Sequence, residues 1–119
     1  MKKNNFEKGK EGERLASDYL KNKGYEILEN NWRFSRNEID IIAKEQDTIV
    51  IVEVKYRYDL EYGDPSQTVD LKKRRILVET SDRYMDTIDD DLELRFDIIS
   101  IQKNNEITHI EDSFQANEV

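Results

Sequence analysis

The sequence predicts an α/β fold, a mixed central sheet flanked by helices, and three observations carry that prediction. Two segments, 6–23 and 65–85, repeat apolar residues at helical spacing. Four others, near 25–34, 38–43, 48–57 and 92–101, carry apolar residues in the short or alternating runs of strands. The resulting order, helix, three strands, helix, strand and a short last strand, allows a meander followed by a helical crossover. A chain of 119 residues suits one domain spanning 1–119 around one modest core.

The first helix runs from Phe6 to about Lys23, with Leu15, Ala16, Tyr19 and Leu20 as its apolar face and Gly24 as its stop. Gly9 and Gly12 are costly inside it, so either the helix starts later or a neighbour needs close backbone approach there. Tyr25 to Phe34 reads as the first strand and its exit, with turn chemistry from Asn30, Asn31 and Asn37. Glu38 to Ala43 is the second strand, with Glu38, Asp40 and Ile42 on one face and Ile39, Ile41 and Ala43 on the other. Lys44 to Asp47 turns the chain into the central strand, Thr48 to Arg57. There Ile49, Ile51, Glu53, Lys55 and Arg57 share a face opposite Val50, Val52, Val54 and Tyr56.

Beyond a loop holding Gly63 and Pro65, a second helix is expected from Pro65 or Ser66 to Met85, capped by Asp64 or Ser66, with Val69, Lys73, Ile76, Leu77, Thr80 and Tyr84 in one stripe. An acidic loop follows, Asp86 to Asp91. Leu92 to Ile101 then forms a strand with Leu94, Phe96, Ile98 and Ser100 opposite Arg95, Asp97, Ile99 and Ile101. Asn104 and Asn105 turn it into a short strand, Ile107 to Ile110, and a polar tail is expected to fray from Glu111, apart from Phe114.

Composition narrows the chemistry. Cysteine is absent and His109 is the one histidine, so a metal would rest mainly on oxygen ligands. No signal-peptide core or membrane-length apolar run is present, so a cytoplasmic protein with no membrane partner is expected. The formal charge of -8 argues against a general nucleic-acid coat protein. Residues 1–60 hold twelve basic and twelve acidic residues and residues 61–119 seven and fifteen, so the acidic excess lies in the second half. Within that half Lys72, Lys73, Arg74 and Arg75 form a local basic cluster.

The central strand turns ionic in mid-sheet, which costs free energy unless a partner or a metal compensates. A hairpin would bring Asp40 to Glu53, with Lys55 two residues on and facing the same way. Two close carboxylates and no soft ligands point to Mg²⁺ or Mn²⁺. Such an ion can polarise a phosphoryl oxygen, and Lys55 can orient water or neutralise developing charge, which is equipment for phosphodiester hydrolysis. Glu13 shares a stripe with Ala16 and Leu20, but by position alone an exposed helix carboxylate is the better reading. Trp32 and Phe34 could stack on unpaired bases, although core or rim packing is the commoner use. His109 is expected to be a surface or hydrogen-bonded residue. Tyr56, Tyr58 and Tyr62 could border a groove or close the hydrophobic edge.

Asp40 with Glu53-Val54-Lys55 resembles the PD-(D/E)XK nuclease motif in the form used by archaeal Holliday-junction resolvases. The closer resemblance is to the YraN family of small bacterial proteins. It extends over Gly9, Gly12, Glu13 and Ala16, Gly24 and Tyr25, Asn31 and Arg33, Glu38 to Ala43, Val52 to Lys55 with Arg57, Gly63 and Pro65, Val69 and Lys73, Arg95 to Asp97, and His109 with Ile110. The resemblance implies a restriction-endonuclease-like fold and a metal-dependent endonuclease acting on branched or structured DNA. By the same resemblance Asp40 and Glu53 match metal-binding carboxylates, Lys55 the catalytic lysine, and Glu13 the helix glutamate that completes the metal site. Glu38 and Lys73 match supporting positions, while Arg57, Lys72, Lys73 and Arg75 could make a phosphate track. Asn37 stands where the family usually has Gly, Ser81 where it has Ala, and the charge deficit argues against tight general DNA binding. Junction resolution by two symmetric cuts would call for a homodimer. Cleavage of RNA or single strands shares the same chemistry, and a catalytically silent binding scaffold on the same fold is the alternative from another class.

Overall fold

The computed structural model describes residues 5–56 and 70–118. Helix α1 (Asn5–Asn22) precedes the strands β1 (Glu26–Phe34), β2 (Asn37–Glu45) and β3 (Thr48–Tyr56). Helix α2 (Leu71–Met85), β4 (Glu93–Ile101), β5 (Ile107–Phe114) and a short 3-10 turn (Ala116–Glu118) follow. The strands form one mixed sheet in the order β1-β2-β3-β4-β5. β1, β2 and β3 are an antiparallel meander, β4 lies parallel to β3, and β5 is antiparallel to β4. The chain is therefore mixed α/β, with the predicted element order.

Each face of the sheet carries one helix. Ala16 and Leu20 of α1 pack with Ile41, Ala43, Val50, Val52, Ile99 and Ile101, while Leu77 and Tyr84 of α2 pack with Ile39, Ile42, Ile49, Ile51, Phe96 and Ile98. The alternation read from β3 and β4 holds on both sides. In β2 it breaks: Ile39 joins the α2 side and Ile41 the α1 side, where strict alternation had put them together. The break falls at Asp40, opposite the positive φ of Asn31. Asn31 is thus an irregularity inside β1, and the turn itself is Ser35-Arg36, with Ser35 at φ 59°.

α1 ends as predicted. Gly24 at φ 96° lets Tyr25 N–H donate to Leu20 O at 2.9 Å and Gly24 N–H to Lys21 O at 3.0 Å. The helix keeps both glycines in its body, and Gly12 is where it meets β3: a Cβ there would lie 2.6 Å from Tyr56 Cδ2. Close approach, rather than a late start, explains Gly12. Gly9 is exposed with nothing within 4 Å of its Cβ position.

Two boundaries differ from expectation. α2 begins at Leu71, because Asp70 stands in extended conformation and accepts the Lys73 N–H at 2.9 Å, so Asp70 is the cap in place of Asp64 or Ser66. Gly63, Pro65 and Val69 lie outside the described residues, as do Arg57, Tyr58 and Tyr62. β5 continues past Ile110 to Phe114 instead of fraying. Phe114 is buried and stacks on Phe96 with ring centroids 4.7 Å apart, while Ser113 Oγ donates to Phe96 O, so the polar residues between are held by both ends.

Candidate functional site

The β2–β3 ladder runs from Glu45 opposite Thr48 to Ile41 opposite Val52 and stops there. The next pair in that register is Asp40 and Glu53. At this point the strands part, and Asp40 Oδ2 accepts the Val54 N–H at 2.9 Å, a donor that continued pairing would have given to a carbonyl of β2. The opening sits between the helices, with Glu13 reaching it from α1 and Lys73 from α2.

Glu13, Glu38 and Asp40 each place a carboxylate oxygen within 4.8 Å of the others. Glu53 lies outside that trio. It faces Lys73 Nζ at 3.8 Å while feeling the charges of Glu13 and Glu38 and raising Asp40. Glu13, by position alone an exposed carboxylate, is half-buried, and its Oε2 is sealed from solvent with no hydrogen-bond donor among the described residues. A buried carboxylate oxygen without a donor is costly, so this atom calls for a cationic partner. Glu38 is tied at the rim by Arg33 Nη2 at 2.9 Å.

Electrostatics reflect this crowding. Burial, then the neighbouring Glu53 charge, pushes the Asp40 carboxyl up to about 7, against the Val54 hydrogen bond and Lys73. Burial also raises Glu53, and Lys73 and Lys55 offset it only in part because Glu13 and Glu38 oppose them. One ammonium at 3.8 Å does not neutralise a cleft holding four carboxylates. The arrangement suits a divalent cation on oxygen donors.

The predicted basic cluster divides. Lys73 turns into the cleft, the Arg74 guanidinium lies 5.4 Å from the Phe114 ring centroid, and Lys72 and Arg75 are exposed. Lys55 shares the Glu53 side of β3 and acts on Glu53 by charge. Tyr56 closes the hydrophobic edge against Gly12 and donates its hydroxyl to Asn105 Oδ1.

A second polar assembly was only partly visible in the sequence. Asp97, its side chain fully buried, accepts from Arg95 Nε and Nη2 at 2.9 Å, from the Asp112 N–H at 3.0 Å and from His109 Nε2 at 2.7 Å. Lys23 Nζ lies 3.2 Å from His109 Nδ1; an ammonium only donates, so Nδ1 accepts and Nε2–H donates to Asp97. His109 is thus hydrogen-bonded, as expected. The alternation placing Arg95 and Asp97 on one face was the available signal; their partners come from β5, from Glu45 of β2 and from Tyr25 beyond the end of α1.

Residues 12–101 match the profile described as "Uncharacterised protein family UPF0102". A UPF0102 protein of Flavobacterium psychrophilum is 46% identical over 109 residues, covering 89% of this chain and 92% of the relative. One from Persephonella marina is 49% identical over 108 residues, covering 90% and 92%. One from Thermodesulfovibrio yellowstonii is 45% identical over 109 residues, covering 92% and 96%. With the profile spanning most of the chain and relatives matching nearly end to end, the chain belongs to the UPF0102 family, the one expected from its motifs under the name YraN.

Proposed function

We propose that this chain is a divalent-metal-dependent endonuclease of the PD-(D/E)XK fold, hydrolysing phosphodiester bonds in branched or structured DNA. The observation that carries the reading is the parted β2–β3 ladder, where Asp40 lies within reach of the buried, donor-less oxygen of Glu13 and Glu53 feels the charges of Glu13 and Lys55. Glu13, Asp40 and Glu53 would hold Mg²⁺ or Mn²⁺, with Glu38 beside Glu13 and Asp40. When bound, that cation supplies Lewis-acid polarisation of a phosphoryl oxygen. The Val54 N–H fixes the Asp40 carboxylate, Lys73 holds Glu53, and Lys55 orients the attacking water and counters charge on the phosphorane. A cytoplasmic location belongs to this reading; no helix among the described residues is long and apolar enough to cross a membrane.

The test is incubation of the protein with labelled four-way junction, flap, duplex, single-stranded DNA and structured RNA at low salt with Mn²⁺ or Mg²⁺. Cleavage that both Lys55→Ala and Glu53→Ala lose while keeping the native circular dichroism is the expected result. Cleavage retained by the purified variants overturns the assignment. The net charge of -8 favours one alternative, a silent binding scaffold on the same fold. Calorimetry showing no Mn²⁺ binding, together with a metal-independent complex, would select it.

A further inference from the structure

Of the large apolar side chains among the described residues, two are exposed: Phe34, with 46% of its surface open, and Leu71. Phe34 closes β1 at the two-residue turn, its ring stacked 16° from parallel on Trp32 and the Arg83 guanidinium 5.7 Å from its centroid. Trp32 is anchored edge-on against Tyr84 of the core. Below the turn, a cleft of about 360 Å³ opens between Phe34 and Asn37 on one wall and Glu79, Asp82 and Arg83 of α2 on the other.

We propose that this cleft receives one unpaired nucleobase stacked on Phe34, which directs the site to nucleic acid with an unpaired nucleotide near the cleaved phosphate. The inference rests on the nucleic-acid reading above and names the feature of the substrate that is recognised. Chemistry sorts the occupant. Arg36, exposed on the hairpin, suits a phosphate backbone, while Arg33 beside it is paired with Glu38. Inside the cleft the arginine is accompanied by Glu79 and Asp82, which repel phosphate but accept hydrogen bonds from the exocyclic amines of bases. An aromatic ring between such groups is a stacking surface indifferent to base identity. A second protein chain fits poorly, because Leu71 lies twelve residues from Arg83 along α2, about 18 Å away, so the two exposed apolar side chains form no continuous patch.

Position connects this cleft to the metal-site carboxylates. Phe34 pairs with Asn37, three residues from Asp40, which is about 10 Å along the strand. Arg33, one residue before Phe34, holds Glu38 at 2.9 Å. At the duplex rise of about 3.4 Å per nucleotide, the stacked base sits about three nucleotides from the phosphate at the site, and fewer where the unpaired strand is extended.

Trp32 is the one tryptophan of the chain, so its fluorescence reports directly on this stack. Wild-type, Phe34→Ala and Phe34→Tyr proteins are titrated at low salt with a blunt duplex and with the same duplex carrying a three-nucleotide overhang. Ca²⁺ replaces Mn²⁺ to neutralise the carboxylates, and a gel verifies intact strands. The expected result is Trp32 quenching and about ten-fold tighter binding by the overhang DNA, both lost in Phe34→Ala and kept in Phe34→Tyr. Equal wild-type affinity for the two DNAs, or a preference that survives Phe34→Ala, overturns the proposal. So does a wild-type dimer in light scattering that Phe34→Ala dissolves, since it assigns Phe34 to an interface between copies. Lys55-dependent cleavage without overhang preference fells this inference alone. A Phe34-dependent preference without any cleavage fells the nuclease reading alone.

Discussion

The N–H of Val54 donates to Asp40 Oδ2 at 2.9 Å, so a side chain of β2 completes the hydrogen bonding of β3 where the two strands part. Asp40 is thereby held in place, yet it is half-buried beside Glu53, and its carboxyl is pushed up to about 7. The sign of the linkage follows. A carboxyl whose folded value exceeds its unfolded one favours the fold only while protonated. Its cost is absent below about pH 4, grows to about pH 7 and is constant above. Asp40→Asn keeps an acceptor for Val54 and removes the charge. It is expected to unfold at higher urea than wild type at pH 8, by roughly 2–4 kcal/mol, and with no gain at pH 4. An equal difference at both pH values would refute the electrostatic origin.

A divalent cation bound as proposed would act on the same imbalance from outside. Mn²⁺ is expected to raise the melting temperature, with the increment growing between pH 5 and 8 as Asp40 ionises. Glu13→Gln removes the charge next to the donor-less oxygen and should weaken Mn²⁺ binding by calorimetry at least about ten-fold, or roughly 1.4 kcal/mol. Unchanged affinity in that variant would remove Glu13 from the set of ligands.

How far the sequence reaches is visible in particular residues. β3 was legible because Ile and Val alternate with a clear ionic end, and Asp40, Glu53 and Lys55 follow from a hairpin and a two-residue spacing. The face switch at Asp40 was not, because Ile39 and Ile41 are both apolar and read alike on either side of the sheet. The start of α2 was read too early, from Asp64 or Ser66 as the cap, because a capping residue is recognised by its backbone geometry, and that geometry is found at Asp70. β5 was cut short because its polar stretch Glu111, Asp112 and Ser113 resembles a tail, while the anchor of that stretch is tertiary, Phe114 on Phe96. The depth of Glu13 depends on how closely α1 settles, which no periodicity records. The same holds for the exposure of Phe34, whereas the turning of Lys73 toward Glu53 agrees with its place in the α2 stripe.

Settling of α1 is testable through its glycines. Gly12→Ala places a methyl 2.6 Å from Tyr56 Cδ2, and Tyr56 is tied to Asn105 through its hydroxyl, so the ring cannot move away without losing that bond. A loss of about 1–3 kcal/mol is expected from overpacking, with weaker Mn²⁺ binding as Glu13 is lifted from the cleft. Gly9→Ala meets nothing within 4 Å and should stabilise the helix by about 0.5–1 kcal/mol. Urea denaturation of the pair provides the comparison. Equal effects would place the α1 contact elsewhere.

The Arg95–Asp97–His109 assembly makes the opposite prediction for acid. Burial pushes the Asp97 carboxyl up, but hydrogen bonds from His109, Arg95 and the Asp112 N–H outweigh it and hold the group below its usual range. A lowered folded value stabilises the fold above the unfolded value near 4 and loses that contribution as pH falls toward the folded one. Asp97→Ala would take the shared acceptor from the buried His109 N–H and from Arg95, which keeps Glu45 and Tyr25, and is expected to cost about 3–5 kcal/mol at neutral pH. His109→Gln retains a donor for Asp97 and should cost less. The decisive measurement is urea unfolding of the three proteins from pH 3 to 7. The wild-type advantage over Asp97→Ala should shrink below pH 4, and an advantage that stays constant down to pH 3 would show that Asp97 contributes by shape rather than by charge.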